Sequence, residues 1–387
     1  MSTRHPAPPS APPSVPPPAA RVVTVGSTAG HQHARRPRGR WIGPVAALWW
    51  GAGAAIALVV TLSGGVLPVG DASDSGFGAL TVVPASALSP WIAVLALVGA
   101  ALAVWTWRGG RARPVPRAVR TATVAAVAVV AVGASALADA AILARLGYLP
   151  VTLIMAPFDP VMRAAFVDFV NPAVVLQLAS LGGAGLLAAS AVRFARRGVG
   201  ACESCGRRLA GADPTWTTPV AAARWGRAAA LVAAAIPAFY AVTRIAWALG
   251  IPLGFSPENV EELAGSDGLV AALGLGTFAV VGAVLTLGLF QRWGEVFPRW
   301  IVGLAGRRVP VKLAVVPATV VAIAVLPAGL SMILVGLSGD SPIELTADQW
   351  GAVGPTLLWP LWSLTLAAAT YAYWLRRREP CTTRPDA

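Results

Sequence analysis

Residues 88–107 read LSPWIAVLALVGAALAVWTW, a run of 20 residues without a charged side chain that is followed at once by Arg108. An α-helix needs about 20 apolar residues to cross the hydrocarbon core of a bilayer. Because backbone groups in lipid must satisfy one another, such a run is predicted to be a transmembrane helix. This stretch therefore indicates an integral membrane protein.

Further apolar runs of similar length lie on both sides of this one. The chain has 387 residues, of which 56% are hydrophobic and only 12% are charged, which is about half the charged fraction of a soluble domain. This composition excludes an ordinary soluble enzyme, a disordered protein and a disulfide-rich secreted domain. We predict an all-α integral membrane protein with eight transmembrane helices, at about 41–63, 88–107, 121–143, 172–193, 228–249, 268–290, 312–336 and 353–374.

The charged residues predict how these helices are oriented. If the N-terminus is cytosolic, 27 of the 30 basic residues fall in cytosolic segments, but only 5 of the 17 acidic residues do. This positive-inside bias predicts a multi-pass protein of the bacterial plasma membrane with both termini in the cytosol. Because topology accounts for the net charge of +13, we expect contact with the lipid bilayer and not with nucleic acid.

The chain divides into five parts. Residues 1–40 form a Pro-rich cytosolic tail that is predicted to be disordered, because it cannot bury enough apolar area to fold. Two four-helix membrane halves follow, at 41–197 and 224–378. The cytosolic loop 198–223 joins them, and the cytosolic tail 379–387 ends the chain.

A recurring motif suggests that the two halves are parallel pseudo-repeats. When residue 40 is aligned with residue 224, Leu-Pro-Val-Gly at 67–70 meets Ile-Pro-Leu-Gly at 251–254. Four is an even number of helices, so both halves would have the same orientation in the membrane. The alternative is chance similarity between Ala-rich helices flanked by obligatory arginines.

The segment 144–171 between the third and fourth predicted helices has an apolar centre that is too short to cross a bilayer. Pro150, Pro157 and Pro160 interrupt it. We expect a re-entrant or interfacial helix on the outer face.

The histidines exclude several chemistries. His5, His31 and His33 are the only ones, and all three precede the first apolar run. Without imidazole at membrane depth, the bundle cannot hold a bis-histidine haem, a histidine-ligated zinc protease site or a Ser-His-Asp mechanism. An intramembrane enzyme is the least expected function, because no cluster of nucleophile and general base is visible.

Arg244 is a candidate ligand-binding residue, since ionisable side chains inside a membrane are costly and usually pair or line a polar cavity. On a helix it shares one face with Tyr240, Thr243 and Trp247. Asp139 is predicted at a similar depth in the third span, and the two charges could meet at an outward-facing pocket for a carboxylate or phosphate. Alternatively, both side chains extend to the outer headgroups.

Three cysteines form a candidate metal site on the cytosolic side. Cys202 and Cys205 belong to a Cys-x-x-Cys-Gly turn, which has the geometry of half a zinc site. Cys381 could be a third ligand, and His31 or His33 a fourth; two subunits could also share one zinc ion. A redox pair and an inert pair of thiols remain alternatives.

Residues 291–310 are predicted to form a short amphipathic helix at the inner interface. Trp293, Phe297, Trp300 and Leu304 have helical spacing, with arginines between them. Such a helix could bind anionic lipid or a protein partner.

Two stretches carry a resemblance to a known group. Residues 293–300, Trp-Gly-Glu-Val-Phe-Pro-Arg-Trp, and residues 243–252 resemble uncharacterised multi-pass membrane proteins of actinobacteria. The resemblance covers mainly the second half. It implies a location and a source, and it implies no activity.

These features lead to two functional hypotheses. The first is a carrier of a small molecule or ion, with its site between the halves, which depends on the repeat and on Arg244 and Asp139. The second is a membrane-embedded assembly or regulatory protein that contacts a cytosolic protein partner through the Cys-x-x-Cys loop and segment 291–310. A homo-oligomer is compatible with either hypothesis.

Overall fold

The computed structural model describes residues 41–73, 80, 83–111, 115–265, 268–338, 346, 348–379 and 381. The predicted N-terminal tail, with His31 and His33, lies outside the described residues. Within them the regular structure is helical, and strand-like pairing is limited to two isolated bridges. The helices are α1 (Ile42–Leu62), α2 (Ala85–Arg108), α3 (Arg117–Ser135), α4 (Ala141–Met155), α5 (Pro160–Val167), α6 (Pro172–Arg197), α7 (Pro219–Ala248), α8 (Pro257–Ala264), α9 (Gly268–Leu287), α10 (Val311–Ser338), α11 (Trp350–Leu357) and α12 (Trp359–Arg377).

Seven of the described helical segments are long and apolar enough to cross a membrane. They correspond to seven of the eight predicted spans, and the last of them comprises α11 and α12 together. The remaining predicted span, 268–290, falls on α9, in which Ala272–Leu287 is a shorter apolar helix. The chain is therefore an all-helical, multi-pass membrane protein in contact with the lipid bilayer.

The third predicted span ends earlier than expected. Helix α3 stops at Ser135, and α4 begins at Ala141 after a turn. Asp139 lies in that turn, where its Oδ1 accepts a hydrogen bond from the backbone N–H of Ile142 at 3.1 Å. The prediction that Asp139 lies within a spanning helix was therefore wrong, and its carboxylate instead satisfies a backbone donor at the beginning of α4.

The segment 144–171 contains two helices. Pro150 lies inside α4 and does not end it. At the beginning of α5 the Asp159 carboxylate accepts hydrogen bonds from the N–H groups of Val161 and Met162, and Pro160 occupies the first turn. These are ordinary helix-starting features, although the short α5 buries no residue.

Small residues determine how closely the helices approach. In the first half, Trp50 of α1 lies against Gly99 of α2, where an added Cβ would come within 2.0 Å of the indole ring. The same indole N–H donates to the carbonyl of Gly183 in α6, at 2.9 Å. In the second half, Gly226 of α7 leaves room for Ala372 of α12. Helix α10 contacts α3, α4 and α6, so it joins the two halves.

Candidate metal centre and the arginine-rich face

The ends of α2, α6, α9 and α12 lie on one face of the bundle, together with the beginnings of α1, α3, α7 and α10. Hydrogen bonds between helix ends that are distant in the sequence establish this. Arg120 at the beginning of α3 donates to the carbonyl of Gly198 after α6, and Arg197 of α6 donates to the carbonyls of Thr106 and Gly109 at the end of α2. We call this the arginine-rich face, and both the cysteine site and a cavity lined by arginines lie on it.

The Cys-x-x-Cys segment forms a tight knuckle. The Cys202 N–H donates to the Arg207 carbonyl, the Gly206 N–H donates to the Cys202 carbonyl, both at 2.8 Å, and Ala201 pairs with Arg208 as an antiparallel bridge. Gly206 has a φ of +71°, a conformation that suits glycine. A Cys-x-x-Cys-Gly turn of this kind lets two thiolates bind one metal ion.

Cys381 joins this knuckle from the other end of the chain. The Sγ atoms of Cys202, Cys205 and Cys381 all lie within 4.8 Å of one another. Cys202 and Cys381 are buried and Cys205 is half-buried. In a tetrahedral zinc site, Zn–S bonds of about 2.3 Å place the sulfur atoms about 3.8 Å apart. The three thiols are therefore close to the arrangement that zinc requires.

Arg378, three residues before Cys381, is bound to the loop that carries the knuckle. Its guanidinium donates to the carbonyl of Cys205 at 3.0 Å, and to Asp213 Oδ2 and the Thr217 carbonyl at 3.3 Å. The side chain is only 4% exposed, and burial lowers the pKa of Arg378 while Asp213 opposes this shift. The residue after α12 is thus bound to the loop between the halves.

The environment keeps the Cys205 thiol protonated when no cation is bound. Burial, together with hydrogen bonding to Cys381 and Cys202, raises the pKa of Cys205 to about 12. A cysteine in this state is a poor nucleophile, because the thiolate is the reactive form. A divalent cation would reverse this preference, since it binds thiolates and displaces their protons.

The structure brings Arg244 together with the three residues predicted on its helix face, Tyr240, Thr243 and Trp247. Its guanidinium lies 4.2 Å from the ring centroids of both Tyr240 and Trp247. It donates to Thr243 Oγ1 at 3.1 Å, to the Gly351 carbonyl at 3.0 Å and to the Ala352 carbonyl at 3.1 Å. Arg244 is 9% exposed, so its donors are used to hold the beginning of α11 against α7.

The expected contact between Arg244 and Asp139 is not among these interactions. Asp139 Oδ2 instead accepts from Gln177 Nε2 at 2.8 Å. A cavity of about 20 Å³ adjoins this pair, enough for about one water molecule. The two charges therefore belong to separate networks, one in each half.

The prediction of an amphipathic helix at 291–310 was wrong. After a short 3₁₀ turn at Arg292–Gly294, the chain forms a hairpin-like loop in which Val296 pairs with Arg308. Pro298 has no N–H to donate, and Gly303 and Gly306 have φ values of +81° and +72°. These features terminate a helix instead of continuing it, and Trp300 is left exposed on the loop.

This loop and the adjacent helix ends line an open cavity of about 1130 Å³. Arg224 and Arg227 of α7, Arg292 and Arg299 of the loop, and Arg376 of α12 line it. The arginines of α7 were missed as site residues, because the sequence presents them as ordinary topology signals. The sequence signal that could have identified them is their i, i+3 spacing, which places both side chains on the same face of α7, next to the loop.

Fold and site together define a multi-pass helical membrane protein with a buried cysteine cluster at one face. Comparison with known proteins gave no matching family model, no matching curated protein and no matching solved structure.

Proposed function

We propose that this protein is a membrane-embedded assembly or regulatory protein in which a zinc ion links the C-terminal segment to the loop between the two halves. The observation that carries the proposal is the convergence of Cys202, Cys205 and Cys381. A gap of 176 positions separates Cys205 from Cys381, so their proximity depends on the fold. Zinc bound there would hold the tail against loop 198–223, and its loss would release the tail toward a partner.

The topology belongs to the same proposal. Eight spans, with α9 as the sixth, would put both termini in the cytosol of a bacterial cell and the arginine-rich face at the inner surface of the plasma membrane. The positive-inside bias of the loops supports this orientation, as does the clustering of helix-end arginines at one face.

Two turns support the idea of a tandem repeat. After α1, Val69 N–H donates to the Leu67 carbonyl at 2.8 Å; after α7, Leu253 N–H donates to the Ile251 carbonyl at 2.8 Å. The next residues, Gly70 and Gly254, have φ values of +62° and +61°. The same turn thus follows the first helix of each half. Helix pairing also agrees, with α1 on α2 and α3 on α6 in one half, and α7 on α9 and α10 on α12 in the other.

Zinc suits the cysteine site better than the alternatives. Thiolates are preferred zinc ligands, and three of them leave one coordination position for another group. The fourth ligand predicted from the sequence, His31 or His33, lies outside the described residues, and a second subunit could also share the ion. A redox disulfide between two of the thiols would leave the third without a role, and the raised pKa of Cys205 disfavours thiol exchange.

The carrier remains the second candidate. Its main support was Arg244, but the donors of this side chain are bound to Thr243 and to two backbone carbonyls. An arginine with this role holds the beginning of α11 against α7 and leaves few donors for a transported anion.

Metal analysis of the full-length protein in detergent tests the proposal. We expect one zinc per chain, or one per two chains if subunits share the ion. Cys202→Ser and Cys381→Ser should both lose the zinc, while Ser204→Ala in the same knuckle should keep it. The Cys381→Ser result is decisive, because only the folded chain connects this residue to the knuckle. Full zinc occupancy in that variant, or a wild-type protein without metal affinity, would contradict the proposal.

A thermal-stability screen against zinc and against small anions, amino acids and sugars separates the two candidate functions. A ligand that binds only the folded protein stabilises it by about 2.7 kcal/mol at a hundred times its dissociation constant. Stabilisation by zinc that is lost in Cys202→Ser supports the regulatory protein. Stabilisation by an organic anion that is lost in Arg244→Ala, with each variant compared to its own ligand-free form, would favour the carrier.

A further inference from the structure

The cavity on the arginine-rich face has an unusual charge balance. Its lining includes five arginines, and no aspartate or glutamate is among the lining residues. Glu295 lies nearby, but its Oε1 accepts from Arg376 at 2.6 Å. Within the described part of the chain, Arg224, Arg227, Arg292 and Arg299 form no ion pair with a carboxylate. Four guanidinium groups thus face the same space with their charge uncompensated.

The cavity walls are held in place. Arg376 donates to the carbonyl of Leu289 after α9, and the hydroxyl of Tyr373 donates to the Gly294 carbonyl at 2.8 Å. On the loop, Phe297 N–H donates to the Arg307 carbonyl at 3.0 Å. These bonds hold the ends of α9 and α12 together and fasten the loop backbone to α12, so less backbone ordering is needed when a ligand binds.

We propose that this cavity binds a phosphate group, either from the headgroup of an anionic lipid or from a soluble phosphorylated molecule. Guanidinium groups bind phosphate oxygens in pairs of parallel hydrogen bonds, which makes clustered arginines suited to this anion. Arg227 also lies over the ring of Phe290, at 5.8 Å from its centroid, and this contact orients its donors. The volume of about 1130 Å³ accepts more than one phosphate. This site is separate from the cysteine cluster and needs no metal.

Two ligands test the proposal and distinguish the sources of phosphate. Inorganic pyrophosphate is added to the detergent-purified full-length protein, and short-chain phosphatidylglycerol, with short-chain phosphatidylcholine as its uncharged control, supplies the lipid headgroup. Dissociation constants are measured for wild type, for the triple variant Arg224→Gln, Arg292→Gln, Arg299→Gln, and for a control triple variant. The control is Arg117→Gln, Arg307→Gln, Arg308→Gln, which removes the same charge from exposed positions that do not line the cavity.

We expect the cavity variant to lose affinity by about tenfold or more and the control to change by less than about twofold, because only the first set converges on the ligand. Binding of pyrophosphate would identify a soluble phosphate as a sufficient ligand. Binding restricted to phosphatidylglycerol would identify the lipid headgroup. An equal loss in both triple variants would mean general surface attraction, and failure of wild type to bind either probe would overturn the proposal. Unchanged thermal unfolding of the variants without ligand shows that they fold.

Discussion

In the first half, Glu203 accepts hydrogen bonds from both Arg193 and Arg197 at the end of α6. In the second half, Glu295 serves Arg376 at the end of α12, and the arginines around it lack a carboxylate partner among the described residues. The two ends otherwise have the same construction. In each, an arginine in the last turn of the final helix donates to carbonyls at the end of another helix and pairs with a glutamate in a loop.

The difference lies in what each loop adds to this common frame. The loop after α6 forms a knuckle that is closed by Cys381 and Arg378. The loop after α9 is open, and it carries two arginines toward a cavity. Helix-end arginines were predicted from membrane topology alone. The comparison shows that topology explains their position on one face, whereas the loop determines whether their charge is neutralised.

Removing the shared arginine should have the largest effect. Arg197→Met and Arg376→Met should each destabilise the protein by about 2–4 kcal/mol, because each leaves the backbone at a helix end without its charged donor and removes an ion pair with a glutamate. The free energy of unfolding is measured in detergent, with the exposed Arg117→Met as control. Similar losses of stability would support the same construction at both ends. A loss in only one half would show that the two ends are not equivalent.

The turns after α1 and α7 provide a second test of the repeat. Gly70→Ala and Gly254→Ala should each cost about 1–3 kcal/mol, because a side chain there must adopt a positive φ in a crowded site. An added Cβ would approach the Val83 carbonyl oxygen to 2.2 Å at Gly70, and the Gly351 nitrogen to 2.6 Å at Gly254.

Gly64→Ala is the matched control for these turns. Its φ is +75°, but nothing lies within 4 Å of an added Cβ. It should therefore cost only about 1 kcal/mol, from backbone strain alone. Equal losses of stability at all three glycines would show that crowding has no part in the effect. If Gly70→Ala were destabilising and Gly254→Ala were not, the two turns would not be equivalent.

Most of the fold could be predicted from the sequence, because hydropathy and loop charge act over whole segments. The cysteine site was also within reach, since Cys202, Cys205 and Cys381 are the only cysteines and were expected on the same side of the membrane. The partners of Arg244 could not be predicted, because backbone carbonyls at Gly351 and Ala352 leave no pattern in side-chain chemistry. The helix predicted at 291–310 was wrong because the prediction relied on the spacing of apolar residues and gave too little weight to the glycines.

Replacing the two loop glutamates should have the smallest effect on stability and the most specific effect on binding. Their side chains are 32% and 35% exposed, and ion pairs at such positions contribute about 0–1 kcal/mol. Glu203→Gln and Glu295→Gln should therefore both leave the protein folded.

Their effects on anion binding should differ, because, of these two glutamates, only Glu295 adjoins the arginine cavity. Glu295→Gln removes a negative charge beside Arg376 and should raise the affinity for pyrophosphate by about two- to fivefold at low salt. Glu203→Gln should leave that affinity unchanged, since the carboxylate charge that it removes is paired with Arg193 and Arg197. Titration of both variants at two salt concentrations measures the difference, which should shrink at the higher one. If Glu203→Gln raised the affinity equally, pyrophosphate would be responding to the net charge of the whole face, and the distinction between a closed first end and an open second end would be lost.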